Sequence, residues 1–570
     1  MIGRFWRRGR EIITSPQNSV LSAAAVVMVM VVASRVLGLV RQRVLAHYFD
    51  PESISLFFAG LRLPELVFEI LVFSTMSSAL IPVFTKTLAK DEHRAWDMAA
   101  RVVNLWLVIF VVVSGIIAVW AEPFYRLLTP GFSAADVSHT AQLSRLLFIA
   151  QGFFVVSYVM TGVLESQRRF LIPAIAPVFY NVGIIVGIVV FAPAAGLVGA
   201  VYGVMLGAFL HFCIQVPLAL KLGFRFRFSI FPTEEVRKVF RLALPRMVDV
   251  GFSQIGKLVE LSLASIVSTA SYTYFTFANT LQALPVGLFA TSVAKASLPM
   301  LASQADEPVK FKKTLLNSMY QIVYMVLPIV TVLIVLRIPI VRLAFGAREF
   351  DWEATVQTGL VLSAFCLGVV FQAMVAILAR GFYALTDTKT PVMVSLLGLF
   401  ITVVGNVLLV RVLGYGVWAL AASYSFGVCI QSLILLKILL GRINNIKLWG
   451  VAMPIFRNVM AAVVSGGVMF FLLKFFDRSV WVKRLSFFGS IAGVENLPFE
   501  RFVLDTRYTL NLFVLTAVVA AIGMLLYLGI TFVLGSPELR AILAVVKRGR
   551  IGPAPVKETE TLTDQPLDTG

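Results

Sequence analysis

Three arginines interrupt an apolar run in the stretch Ala33–Phe49, ASRVLGLVRQRVLAHYF. The run follows directly on VLSAAAVVMVMVV, so Arg35, Arg41 and Arg43 lie within or at the end of a segment that reads as a membrane-spanning helix. An arginine at the centre of such a helix costs about 2.5–3.5 kcal/mol on insertion scales. A planar guanidinium can grip a phosphate through two parallel hydrogen bonds. Arginines paired in a water-filled cavity therefore suit an anionic ligand. At roughly 100° per residue, Arg35 and Gln42 share one stripe of the helix, and Ser34 and Arg41 share the neighbouring one. Arg43 lies to the other side, close enough to the helix end to snorkel toward headgroups. Arg35 and Arg41 are expected to line a cavity; the alternative is a structural ion pair with Glu65 or Glu69 of the following span.

Further polar residues inside apolar runs extend the pattern. Arg62, Glu65 and Glu69 fall in the second run, Arg246, Asp249, Lys257 and Glu260 in the seventh, and Asn279, Gln282 and Lys295 in the eighth. Asp249, Lys257 and Glu260 are spaced to lie on broadly one side of a helix, which is expected to face the same cavity. Acidic groups there would balance the arginines in an empty cavity or bind a coupling cation; for each alone, neutralising a neighbour is the plainer role. The four histidines (His47, His93, His139, His211) are scattered, and the three cysteines (Cys213, Cys366, Cys429) sit singly in apolar runs. Neither set has metal-ligand spacing. There is no P-loop, no Ser/His/Asp arrangement and no zinc motif. If the chain moves something, a gradient or the membrane potential must drive it, with no cofactor beyond a coupling ion such as Na+.

Composition defines the elements that must position these groups. Of 570 residues, 59% are hydrophobic and only 14% charged, whereas soluble domains are roughly a quarter charged. Mean hydropathy is +0.89. Apolar runs near 20 residues recur, each enough to cross about 30 Å of hydrocarbon. The chain thus reads as an all-α polytopic membrane protein of about fourteen spans. They run near Val20–His47, Leu56–Thr85, Met98–Trp120, Thr140–Leu164, Ile172–Pro193, Leu197–Leu220, Val239–Val267, Tyr272–Leu301, Leu315–Arg337, Thr355–Tyr383, Pro391–Val410, Val417–Leu440, Ile455–Phe475 and Leu510–Leu534. The first apolar run reads as an uncleaved insertion signal.

The net charge of +19 resides in short loops on one side, among them SQRRF, KLGFRFRF and KILLGRINNIK, whereas APAAGL and STAS on the other side carry no Lys or Arg. This asymmetry puts both termini in the cytoplasm of a multi-pass protein and favours membrane lipids over nucleic acid as the basic surface's partner. Lys474–Arg507 breaks the pattern and reads as an amphipathic segment on the outer headgroup surface. The tail IGPAPVKETETLTDQPLDTG has little to bury and is expected to be disordered.

The chain also repeats itself. The second span, FFAGLRLPELVFEILVFSTMSSALIPVF, and the eighth, YFTFANTLQALPVGLFATSVAKASLPML, both begin aromatic, pass a Leu-Pro (Leu63-Pro64, Leu284-Pro285) and end near a second proline (Pro82, Pro299). The turn ESQRRFLIP likewise resembles LTDTKTP six spans later. Duplication implies two six-helix lobes related by a pseudo-twofold along the membrane normal, with the substrate site between them and two extra C-terminal helices. The expected units are a basic segment 1–19, an N-lobe 20–220, a linker 221–238, a C-lobe 239–440, the last two helices with a long outer loop 441–535, and a tail 536–570. Prolines at matched positions would kink both helices and free carbonyls toward a cavity.

Four stretches carry a family resemblance: SRVLGLVRQRVLAHYF (Ser34–Phe49), TPGF (Thr129–Phe132), QRRFLIPAIAPVFYN (Gln167–Asn181) and RGFYALTDTKTPV (Arg380–Val392). In order and spacing they resemble the MurJ/MviN lipid II flippases, of the multidrug/oligosaccharidyl-lipid/polysaccharide exporter superfamily. The resemblance implies fourteen helices, two lobes around a cationic cavity, and a groove at the last two helices for a lipid tail. It implies movement of lipid II, the undecaprenyl-pyrophosphate-linked peptidoglycan precursor, from the inner to the outer leaflet of the bacterial cytoplasmic membrane by alternating access. The membrane potential, and in some members sodium, would drive the cycle. Arg35 and Arg41 match the helix-1 arginines expected to engage the pyrophosphate, and Arg62 joins them as a substrate-binding candidate.

The chain departs from the family pattern where charged side chains are expected. The matching positions here are Ser55, Phe68, Asn279 and Thr280; either Arg62, Lys257 and Glu260 supply part of the missing charge, or the chain is a divergent branch with altered substrate binding. The expected partners are lipid II, membrane lipids and cell-wall synthesis or division proteins, with a monomeric chain. Two other readings are an exporter of another undecaprenyl-linked glycan or a drug-like substrate, and a transport-inactive scaffold.

Overall fold

In a membrane a backbone segment must satisfy every N–H and C=O internally, so the apolar runs fold as helices. The computed structural model describes residues 20–73, 79–442, 448–477 and 509–540. The readings made for 1–19, for most of Lys474–Arg507 and for the tail after Arg550 fall outside these residues. The helices are α1 (Val20–Tyr48), α2 (Pro51–Phe68), α3 (Ile81–Leu88), α4 (Glu92–Val119), α5 (Ala121–Leu128), α6 (Ala134–Ser166), α7 (Leu171–Ala195), α8 (Leu197–Lys221) and α9 (Glu234–Val267). They continue with α10 (Ser271–Pro285), α11 (Thr291–Ser303), α12 (Pro308–Val335), α13 (Arg337–Phe345), α14 (Trp352–Ala384), α15 (Lys389–Asn406), α16 (Trp418–Arg442), α17 (Leu448–Phe476) and α18 (Thr509–Val533).

Twelve stretches of the described residues are long and apolar enough to cross a membrane. α2 and the part of α1 whose side chains are described (27–48), which carry the arginines and glutamates singled out above, are not among the twelve. The expected count of about fourteen therefore depends on these two charged helices. Side chains set several helix starts. Asp50 accepts from the Ser53 amide at 2.8 Å ahead of Pro51, and Ser133 and Asp136 form a reciprocal capping box at α6.

The repeat seen in the sequence returns as a shared backbone irregularity. α2 contains Pro64 and runs into a π-helical turn, Glu69–Phe73; α10 ends on Pro285 and runs into another, Val286–Ala290, before α11. A proline removes one intrahelical donor, and the wider turn accommodates the displaced carbonyls. The turns after α6 and α14 also match. Arg168 and Thr386 take positive φ (59° and 61°), the only non-glycine residues to do so among those described. In both, this residue's amide reaches back three residues and the next amide reaches back five: Arg168 to Glu165 and Arg169 to Leu164, Thr386 to Tyr383 and Asp387 to Phe382. These are Schellman caps built without glycine.

Packing repeats as well. α2 lies on α6 as α10 lies on α14, α6 on α8 as α14 on α16, and α4 on α6 as α12 on α14. The first helix of each half breaks the symmetry. α1 packs along α7, whereas α9 touches α10 and α15 of its own half and α2 to α5 of the other. Trp106 of α4 stacks on Phe240 of α9 at 4.6 Å. α17 and α18 pack on each other and on α12, where Tyr527 donates to the Tyr324 carbonyl at 3.2 Å and the Tyr324 hydroxyl meets Thr531 at 3.0 Å.

Candidate functional site

Polar side chains placed in apolar helices gather where the two halves face each other. A cavity of about 160 Å³ is lined by Arg41, Gln42, Leu61, Arg62, Glu65, Tyr180 and Thr276. A larger one of about 560 Å³ lies in the second half, with Arg62, Lys257, Glu260, Asn279, Gln282, Gln372, Tyr424 and Gln431 among aromatic walls of Phe252, Phe275 and Phe365. Arg62 and Thr276 stand in the walls of both.

Arg62 is the most heavily engaged cation of the set. Its Nη1 is 3.2 Å from Glu65 Oε2, one helical turn on. Its Nε donates to the Tyr272 hydroxyl across the junction, and its guanidinium lies 5.6 Å from the centroid of that ring. Glu260 is in electrostatic reach of both Arg62 and Lys257. Lys257 Nζ sits 3.3 Å from Glu69 Oε2, and Gln254 donates to the same carboxylate. Each charge thus has an opposite or hydrogen-bonding neighbour, the condition for keeping it at membrane depth.

The helix-1 residues divide into different roles. The Arg41 guanidinium lies 5.9 Å from the centroid of the Tyr180 ring and faces the smaller cavity. Gln42 donates to Thr280 Oγ1 at 2.9 Å, joining α1 to α10. Arg35 lies against Gly287 in the π-helical turn after Pro285, so closely that a methyl group there would collide with it; it is not in the wall of either cavity. The helix-1 arginines do not pair with Glu65 or Glu69, whose described cationic partners are Arg62 and Lys257. Arg43, read as a headgroup anchor, instead donates to the Leu343 carbonyl in the last turn of α13.

Asn279 accepts from Gln282 at 2.7 Å and opens onto the larger cavity. Asp249 falls on α9, but its side chain is outside the described set. At the positions where the family pattern has charge, Ser55 is buried, Phe68 packs edge-on to Tyr158 at 5.1 Å, and Thr280 makes the bond to Gln42. The sequence reading passed over Tyr180, Tyr272, Gln254, Gln372 and Gln431. Amides inside apolar runs were the available signal, because an amide that lacks a partner is also costly there.

One end of the junction is closed. The Gly131 amide donates to Ser265 Oγ at 3.3 Å, so the TPGF turn seats on the last turns of α9. Thr273 Oγ1 donates to the Pro51 carbonyl at 2.6 Å. Phe58 meets Phe277 edge-on at 6.1 Å, and Phe277 stacks on Phe345 at 4.3 Å. A Cβ at Gly131 would overlap the Ser265 carbonyl, so this approach requires glycine.

The family model described as lipid II flippase MurJ matches residues 45–490. The probable lipid II flippase MurJ of Borreliella burgdorferi is 25% identical over 486 residues, covering 84% of this chain and 95% of that protein. That of Vibrio cholerae is 28% identical over 421 residues, covering 71% and 80%. Among solved structures, a lipid II flippase MurJ in an inward closed conformation matches with a TM-score of 0.71 at 20% identity, over 90% of this chain and 100% of that one. A multidrug resistance MATE family transporter of the MOP superfamily, in an inward-facing conformation, matches at 0.60 and 16% identity, over 72% and 94%. At these identities the solved structures establish the shared fold alone.

Proposed function

The chain belongs to the lipid II flippase MurJ family, and from that premise we propose that it carries lipid II from the inner to the outer leaflet through the junction between its halves. It is a multi-pass transporter of the bacterial inner membrane. The observation that carries the substrate reading is Arg62, shared by both cavity walls and flanked by Arg41 in the smaller one. Two guanidinium groups converging on one space suit a pyrophosphate.

In this reading Arg41 and Arg62 hold the pyrophosphate, and Arg35 guides it past the π-helical turn at Gly287. Glu65 occupies Arg62 while the site is empty and yields it to the incoming anion. Asp249, Lys257 and Glu260 balance charge as the anion arrives and leaves, and the Asn279 amide offers it a neutral hydrogen bond. The closed end at Gly131 faces outward, so substrate enters from the cytoplasmic side, where both termini lie. Carrying charge across the bilayer couples the cycle to the membrane potential, worth about 2.3 kcal/mol per charge per 100 mV, with sodium as a candidate co-ion.

The deciding experiment depletes the protein in cells lacking a redundant transporter and measures how much lipid II reaches the outer leaflet. Depletion should trap lipid II inside, and re-expression should restore it only when Arg41 and Arg62 are intact. Normal outer-leaflet lipid II after depletion overturns the reading. Full rescue by inserted Arg41→Ala and Arg62→Ala chains would favour a scaffold instead.

A further inference from the structure

The segment between α8 and α9 reads GFRFRFSIFP from Gly223 to Pro232, alternating arginine with phenylalanine. It is not helical between Phe224 and Pro232. Non-helical backbone beside a bilayer needs partners for its polar groups, and α4 supplies them. Asn104 Nδ2 donates to the Arg227 and Ser229 carbonyls (2.5 and 3.3 Å), and Arg101 Nη1 donates to Ser229 Oγ and the Phe231 carbonyl (2.7 and 2.9 Å). The strap is thus pinned along the first turns of a membrane-length helix.

Its two kinds of side chain diverge. Phe224 is buried against Trp96 at 6.4 Å, and the aromatic series then runs outward, with Phe226 53%, Phe228 82% and Phe231 78% exposed. Exposed phenylalanine rings beside a span are satisfied by burial at the headgroup/acyl boundary. Arg225 and Arg227 instead line a cavity of about 460 Å³, with Glu92, His93, Trp96 and Asp97 opposite. That volume lies in the range of small-ligand sites. Gly223, at φ 110°, lets the backbone approach the Trp96 indole, where a Cβ would come within 2.7 Å of Nε1.

The charges in this cavity are unequally committed. Asp97 is held by Arg101 at 2.6 Å. Glu92 accepts only from Trp96 Nε1, at 3.3 Å, and is otherwise exposed. No hydrogen bond or ion pair among the described residues engages the Arg225 or Arg227 guanidinium. Among the described residues the space therefore offers two unpaired guanidinium groups and one carboxylate that accepts only a neutral indole N–H, beside an exposed phenylalanine surface.

We propose that this cavity is a headgroup site for a glycerophospholipid bearing a primary ammonium, of the ethanolamine type. The phosphodiester lies between Arg225 and Arg227, the ammonium donates to Glu92, and the acyl chains run beside Phe226, Phe228 and Phe231. A choline headgroup cannot donate a hydrogen bond to Glu92. A glycerol headgroup leaves that carboxylate without a cation. The site sits on the strap that joins the halves and is separate from the central cavities, so it stands or falls independently of the transport reading.

Native mass spectrometry of the full chain in detergent, with equimolar phosphatidylethanolamine, phosphatidylcholine and phosphatidylglycerol, tests the assignment. The native chain should retain the ethanolamine lipid about fivefold over the choline lipid, the scale of one charge-assisted hydrogen bond. The double variant Arg225→Gln/Arg227→Gln should lose retention of all three. Glu92→Gln should keep lipid but lose the ethanolamine preference. All three side chains are exposed, and an unchanged melting temperature separates loss of the site from loss of the fold. Equal retention of ethanolamine and choline lipids by the native chain overturns the proposal, as does an ethanolamine preference that survives Glu92→Gln. Stronger retention of the glycerol lipid would show simple attraction to anionic headgroups and also overturns it.

Discussion

In the first half, α7 and α8 meet glycine to glycine: Gly183 lies against Gly207 and Gly187 against Gly203, each so close that a Cβ would overlap the facing backbone. Their counterparts α15 and α16 meet through larger side chains, with Gly398 beside Gln431, Gly427 beside Thr402 and Gly405 beside Ser423. Small residues let membrane helices approach closely. Where they give way to Thr402 and Gln431, those same residues, with Gly398, line the 560 Å³ cavity. The two halves share proline positions, π-helical turns and αL caps, so the duplicated part is the backbone. Which half opens a cavity, and whether it is basic or amide-lined, is decided by single side chains.

The sharpest way to break this contrast is at the residue both cavities share. Arg62→Ala removes the cation facing Glu65 and the donor to Tyr272, and should abolish outer-leaflet delivery of lipid II. It should also destabilise the chain by about 1–2 kcal/mol, because Glu65 loses its cation and the Tyr272 hydroxyl its donor while Glu65 itself stays partly exposed. Lys257→Ala should be milder, since Glu69 keeps the bond from Gln254. Leaflet assays alongside thermal unfolding in detergent separate the two effects. Equal losses from both variants would mean that Arg62 has no special place at the junction.

A second test compares the helix pairs directly. Gly187→Ala should cost about 2 kcal/mol by forcing α7 off α8, since its Cβ would overlap Gly203 Cα. Gly398→Ala meets Gln431 Cβ at 3.2 Å, a contact that a helix displacement of a few tenths of an ångström relieves, and should cost about 1 kcal/mol or less. Unfolding midpoints of both variants give the answer. If the two costs are equal, the glycine seam is not what distinguishes the halves.

The matched turns differ in their response to acid. Asp387 accepts from the Thr390 hydroxyl and amide at 2.6 and 2.9 Å and from Arg442 at 2.7 Å. These bonds, the Thr390 hydroxyl first, hold its carboxyl well below the usual carboxylate range. A depressed value in the folded state means the contribution is complete above the ordinary value near 3.9 and is lost as pH falls below it. In the first half Arg169 stands at the equivalent position, so that turn has no such dependence. The melting-temperature gap between the native chain and Asp387→Asn should be full at pH 7, begin to narrow below about pH 4 and close only as pH falls through the depressed folded value. A gap constant with pH would show that the ion pair contributes nothing to the turn.

Much of this arrangement was legible because lipid imposes it: apolar length predicts helices, and Leu63-Pro64 with Leu284-Pro285 disclosed the duplication. The π-helical turns were not legible, since no residue type marks a wider turn and the register emerges only when the freed carbonyls find neighbours. For the site, a charge in an apolar run announces that a partner exists without naming it. Arg41 and Arg62 reach the cavities, but Arg43 finds the Leu343 carbonyl and Arg35 a backbone turn of the other half. Both partners lie some 250 to 300 residues away in sequence, beyond what helical spacing can reveal.

The smallest effect probes the one local feature that both halves share in full. Arg168 and Thr386 each occupy the left-handed region at a helix end, where glycine is the unstrained choice. A β-branched residue suffers more there than an unbranched one. Thr386→Gly should therefore stabilise the chain by about 1 kcal/mol and Arg168→Gly by about half that, after the entropy lost by a more flexible unfolded chain. Thr386 Oγ1 donates to the Leu385 carbonyl at 2.7 Å, a bond that glycine would forfeit. A rise in melting temperature for both variants, larger at 386, would show that the caps are strained alike. A fall at 386 alone would show that the hydroxyl outweighs the strain, and the shared cap would then rest on different chemistry in each half.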